Sequence, residues 1–302
     1  MPIEPIHLTS SDPDGSSLVT VTVDVAAGGR IRQITITDEP DSVDLLTGED
    51  GNRSTSSGWG SFPMAPWAGR IRHGRFRFLG DDVRLDLNHV DGSGTGGGPI
   101  VPPRPATSGP VAADDRRAHP IHGTTFTRPW TPVSVTADRI EMSCPLEGML
   151  AWPYPGLARQ VLTLGPRRLE LELAVEPDGD TVFPASIGWH PWFVKPDRLD
   201  FAPTAMYVRD EIGIPTGELV RPLPPPWDDC FVNRRPVELH YERRVAPVVT
   251  VSSPDCDHWV IYDKPSHATC VEPQSGPPDA PTLRPEIATS DHPLRRSMSI
   301  TW

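Results

Sequence analysis

The sequence is poor in cysteine, in basic charge, in long apolar runs and in helical periodicity, and each shortage excludes something. Four cysteines in 302 residues, Cys144, Cys230, Cys256 and Cys270, stand far apart with no C-x-x-C pair. That spacing excludes a disulfide framework and a zinc knuckle and predicts reduced thiols in a cytoplasmic protein. Lys+Arg number 28 against Asp+Glu 40, a net charge of −12 with a pI near 5.2. Such a chain repels polyanions, so nucleic acid and anionic membrane surfaces are excluded as partners and a small neutral molecule fits better. No apolar run is long enough to span a bilayer, and the opening MPIEPIHLTSSDPDGSS has neither a basic nor an apolar leader region. Neither a membrane span nor a targeting segment is expected.

What is present is period-2 alternation. It runs through LVTVTVDV (18–25), RIRQITI (30–36), RFRF (75–78), VRLDLN (83–88), TPVSVTA (131–137), RIEMSC (139–144), RLELELAVE (168–176), VELHYE (237–242), PVVTVSS (247–253) and RSMSITW (296–302). Alternation of this kind marks strands with one face buried. Turn signals separate them, among them AAGGR (26–30), LGDD (79–82) and EPDGD (176–180), and no sustained helical stripe appears. The expected fold is all-β, a single domain over 1–302 with no linker. The stretch 91–118, DGSGTGGGPIVPPRPATSGPVAADDRRA, is rich in Gly, Pro, Ser and Ala and has few side chains to bury. It is expected to be a flexible insertion, or a flap over a functional site.

Three segments hold an ionisable side chain against Gly, Pro or Trp where a strand is expected to end: HPIHG (119–123), GWHPWF (188–193) and CVEPQSGPPD (270–279). Rigid scaffolds place functional groups at such exits. Each also has a plainer reading. His122 before Gly123 fits a turn histidine capping a carbonyl, and Glu272 before a proline fits a surface carboxylate. His190 lies between Trp189 and Trp192. It reads either as a core-filling ring or as a proton donor beside an aromatic floor, with Trp192 offering an apolar face to a sugar. Arg70 in APWAGRIRHG and Asp228 in PPPWDDCF are either surface charges or a guanidinium and a carboxylate able to bind vicinal hydroxyls.

In order and spacing, AGRI (68–71), IHG (121–123), YPG (154–156), HPWF (190–193), DDCF (228–231) and VEPQSGPPD (271–279) resemble the signature segments of the aldose 1-epimerase (galactose mutarotase) family. The resemblance implies a large antiparallel β-sandwich of the galactose mutarotase type. It implies Glu272 as catalytic carboxylate, His190 as catalytic acid, His122 as second active-site histidine, and Arg70 and Asp228 as sugar-binding groups. Gly69 stands where the family commonly has Asn, Trp192 where Tyr is more usual, and the 91–118 insertion where the family is short. These departures bear on the choice of sugar.

The implied reaction opens a cyclic hemiacetal. A base takes the C1 hydroxyl proton, an acid protonates the ring oxygen, C1–O5 breaks, and reclosure on the other face yields the second anomer. One acid and one base suffice, so no cofactor and no metal is implied. With Glu272 as base and His190 as acid, the pair is expected as carboxylate and imidazolium. The expected substrate is a free hexose. The alternatives are a hexose 6-phosphate, with Arg70, Arg72 and Arg75 as an ambiguous basic cluster, and a sugar-binding protein without catalysis. A glycosidase using Glu272 with Asp228, and a metal enzyme using His122, His190 and a carboxylate, are further rivals. Oligomeric state is not legible.

Overall fold

The computed structural model describes residues 4–49, 57–90, 100–106 and 117–302. Their strands assemble into two large antiparallel sheets. The first runs, in spatial order, Ile6–Ser11, Leu18–Asp24, Arg30–Asp38, Ser61–Met64, Gly188–Val194, Ala268–Gln274, His258–Tyr262, Asp228–Val232, Ala205–Arg209 and Pro215–Val220, with Asp41–Asp44 paired beside Arg30–Asp38. The second runs Thr131–Val135, Arg139–Pro145, Gly156–Gly165, Arg168–Pro177, Leu294–Thr301, Val248–Ser252, Val237–His240 and Arg198–Asp200. Alternation explains how they meet. Val19, Val21, Val23, Ile34 and Ile36 of the first sheet join Ile140, Met142, Leu162, Leu171, Leu173, Val251 and Ile300 of the second in one buried cluster. Gln160 ties the layers together: its amide donates to the Gly29 carbonyl at 2.9 Å, and its oxygen accepts from the Trp189 indole at 3.0 Å. The all-β sandwich expectation therefore holds.

Two expectations about elements change. The run 83–88 is not one strand but parts of two, Asp81–Arg84 and Leu87–Val90. Between them Leu85 is fully buried and its N–H donates to the Gly74 carbonyl, which turns the chain. Within 91–118, residues 91–99 and 107–116 lie outside the described residues, but Ile100–Arg104 is a strand rather than part of a structureless loop. It pairs with Leu87–Val90, which pairs in turn with Ala118–His119, giving a small third sheet against the first. Ile100 is the physical reason: it packs against a second apolar cluster of Phe62, Met64, Ala68, Ile121 and Phe126. Ala118 and His119 are fully buried.

Candidate active site

The strand Gly188–Val194 lies beside Ala268–Gln274 in the middle of the first sheet. Its register is set by Gly188↔Gln274 at one end and Trp192↔Cys270 at the other, which puts His190 opposite Glu272. No ladder pairs are made between those ends. Pro191 and Pro273 each lack an N–H there, so the sequence opens the ladder where the two side chains face one another. His190 and Glu272 thus sit within strands rather than at strand exits. Alternation sends Trp189, Phe193, Val271 and Ile261 into the main core, while His190, Trp192, Glu272, Gln274, Val260 and Tyr262 line a cavity on the opposite face.

That cavity has a volume of about 600 Å³, and Arg70, His122, His190, Trp192, Asp228 and Glu272 all line it. His190 Nε2 lies 3.3 Å from Glu272 Oε1, with both side chains almost wholly buried. The second carboxylate oxygen accepts a hydrogen bond from the Gln274 amide at 3.2 Å. The imidazole is held in an aromatic column. Phe62 stacks on it at 4.8 Å and Trp192 at 5.4 Å with an interplanar angle of 11°, while the buried Arg30 guanidinium lies 5.1 Å from the Phe62 ring centre. The two tryptophans flanking His190 therefore differ: Trp189 is core, and Trp192 spends one indole face on the histidine.

His122 meets His190 edge-on at 4.9 Å. Its backbone is left-handed, φ 59°, and Gly123 follows at φ 83°. A β-carbon on Gly123 would lie 1.9 Å from the Ala65 carbonyl oxygen, so only glycine fits after this histidine. The His122 N–H donates to Gly69 and the Asp279 N–H to Arg70, which locks the arginine loop to both motifs. Asp228 pairs with Arg209 at 3.4 Å and Lys264 at 3.8 Å.

Burial decides the charges. It pushes the His190 imidazole down to about 3, with Arg30 adding to the effect, and holds His122 well below the ordinary imidazole value. It lifts the Glu272 carboxyl well above its ordinary value, aided by Asp228 and opposed by the Gln274 hydrogen bond and Arg70. The pair is expected from sequence as carboxylate and imidazolium; burial works against both charges, lowering the imidazole and raising the carboxyl, and so disfavours that ion pair. Asp228 is likewise raised by burial despite its cationic partners.

A sequence profile of the aldose 1-epimerase family matches residues 108–279, more than half of the chain. The chain belongs to the aldose 1-epimerase family. No match to a curated protein was found. Among solved structures, this epimerase-family chain resembles a galactose mutarotase-like protein from Clostridium acetobutylicum, with TM-score 0.74 and 13% identity over 98% of each chain. It also resembles the GalM/aldose epimerase homologue from C. elegans, with TM-score 0.69 and 14% identity over 99% of this chain and 98% of that one. Galactose 1-epimerase from Lactobacillus acidophilus NCFM gives TM-score 0.67 and 14% identity over 96% and 92%. At such identities the likeness establishes the galactose mutarotase-like fold.

In this family member the cavity also contains residues that sequence reading leaves unassigned: Tyr262, Lys264 and His267 from the hairpin before Glu272, Gln274, and His89 and Ile100 from the small sheet. Gln274 stands inside the EPQ motif, and Asp279 at the end of SGPPD accepts the Arg72 N–H at 3.0 Å. Both carried a signal. His89 and Lys264 carried none, since only pairing across strands brings them to the cavity. No helix among the described residues is long and apolar enough to cross a membrane.

Proposed function

We propose that this protein interconverts the α and β anomers of a free aldose, with Glu272 and His190 as the proton-transferring pair. The observation that carries the reading is the pair itself: an imidazole and a carboxyl 3.3 Å apart at a cavity wall, the first lowered and the second raised by burial. Hemiacetal opening needs one proton given and one taken, and a pair holding a single proton supplies both. Moving that proton from Glu272 Oε1 to His190 Nε2 creates the carboxylate and imidazolium. Glu272 then takes the O1 proton of the sugar while His190 protonates O5, and reclosure reverses both transfers. His122, held neutral, donates a hydrogen bond to the oxygens that gain charge. Arg70 and Asp228 bind ring hydroxyls, and the cavity falls within the roughly 300–1,000 Å³ of small-molecule sites.

The choice of a free over a phosphorylated sugar rests on where the cations are. Of Arg70, Arg72 and Arg75, only Arg70 lines the cavity. Arg72 is engaged by Asp210 at 2.6 Å and lies 3.9 Å from Asp279, and Lys264 lies beside Asp228. A dianionic phosphate would find Arg72 and Lys264 already committed to carboxylates. The four free, buried cysteines fit a reducing cytoplasm. Polarimetry of freshly dissolved α-aldoses, free and 6-phosphorylated, is the test: accelerated decay of rotation is expected for free aldoses. Acceleration confined to phosphorylated sugars would reverse the choice, and acceleration of none would leave a sugar-binding protein.

A further inference from the structure

We propose that His190, Cys270 and Glu272 form an inhibitory binding site for Zn²⁺ within the sheet. Their donor atoms, an imidazole nitrogen, a thiol sulfur and a carboxylate oxygen, all lie within 4.8 Å of one another, and all three side chains are buried. The register explains why. Cys270 and Glu272 are two residues apart on one strand and so share a face, and His190 stands across from Glu272 where the ladder is open. Tetrahedral zinc with bonds of about 2.0–2.3 Å sets its ligands roughly 3.2–3.7 Å apart. The His190–Glu272 distance of 3.3 Å already satisfies this. The thiol then needs to close by at most about 1 Å, a side-chain adjustment.

The donor set selects the ion. Nitrogen, sulfur and carboxylate oxygen with one further position for water suit Zn²⁺ and not Mg²⁺ or Ca²⁺, which take oxygen ligands. Charge also balances. The thiol and the pair's carboxyl each release a proton, and the resulting thiolate and carboxylate neutralise the dication, so no net charge is buried. The ion reaches the site through the cavity that His190 and Glu272 line. His122, named from sequence in a possible metal triad, is not in this group. Zinc bound here occupies both proton-transferring groups and turns the enzyme off. That consequence rests on the proposed function; the binding does not.

The test uses the full chain freed of metal. Co²⁺ is expected to give a thiolate charge-transfer band in the near ultraviolet, unchanged in Cys256→Ser and absent in Cys270→Ser. Zn²⁺ is expected to displace the Co²⁺ and to inhibit anomerisation, with reversal by a chelator. Cys270→Ser should keep metal-free activity and need more than ~100-fold higher Zn²⁺ for inhibition, since losing a direct ligand exceeds the 10–100-fold cost of losing its support. If that variant does not fold, loss of the cobalt band in Glu272→Gln carries the same test. A wild-type protein with no thiolate band, or a Cys270→Ser protein with an unchanged one, overturns the site whether or not the chain proves to be an epimerase. A band without inhibition overturns only the regulatory consequence.

Discussion

If His190 and Glu272 are the proton-transferring pair proposed above, they titrate as one unit, and that has a measurable form. With one proton the pair is neutral overall, whichever atom carries it; with two it is a cation and with none an anion, and burial penalises both. The acid limb of kcat/KM is therefore the arrival of a second proton, governed by an imidazole depressed to about 3. The alkaline limb is the departure of the last proton, governed by a carboxyl raised well above its ordinary value. The profile should be flat between about 4.3 and 6.5, the values of the solvated groups, and beyond them on both sides. A limb within that interval would show that the groups titrate separately. Trp192 makes a second residue-scale prediction. As a sugar floor alone it would move only KM, but it also stacks on His190. Trp192→Ala is expected to raise KM and to lower kcat by up to ~10-fold, the worth of one aromatic pair, with Trp192→Phe recovering most of kcat. An unchanged kcat in the alanine variant would reduce Trp192 to a floor.

At the level of elements, alternation made the strands with one face in water legible and hid those buried on both faces. Arg168–Pro177 reads apolar and polar by turns because one face meets water, while every residue of Ala268–Gln274 is buried. With one face on the core and the other on the cavity and neighbouring loops, that strand loses its period-2 signal, and so does most of Gly188–Val194. The site motifs were thus readable as residues and misplaced as strand exits. The small sheet was hidden for another reason: Ile100–Arg104 is a short strand inside a Gly- and Pro-rich stretch, and composition averaged it away. Val90 and Ala118 are paired partners, so excising 91–117 and joining them through a short turn keeps that hairpin. The variant should fold with Tm lowered by only a few degrees, because the excised sequence has few apolar side chains to bury, while KM rises with the loss of Ile100 from the cavity wall. A variant that fails to fold would make the segment part of the core structure.

For the whole molecule, the sandwich divides its labour by face. The inner face of the first sheet is sealed against the second sheet, and its outer face carries the cavity, so cavity-lining residues and core residues alternate along the same strands. This explains how Glu272, His190 and Asp228, from three separate regions of the sequence, meet on a rigid surface with no helix to position them. It also explains why a motif could single them out as candidates and not order them in space, since register across strands is a property of the folded sheet. The most direct test of the account is the turnover of Glu272→Gln on a freshly dissolved α-aldose, followed by polarimetry alongside a sugar-binding titration. The amide keeps the shape of the side chain and removes the base. Loss of about 10²–10⁴-fold in kcat with sugar binding retained is the expected result, and wild-type turnover in that variant would contradict the account.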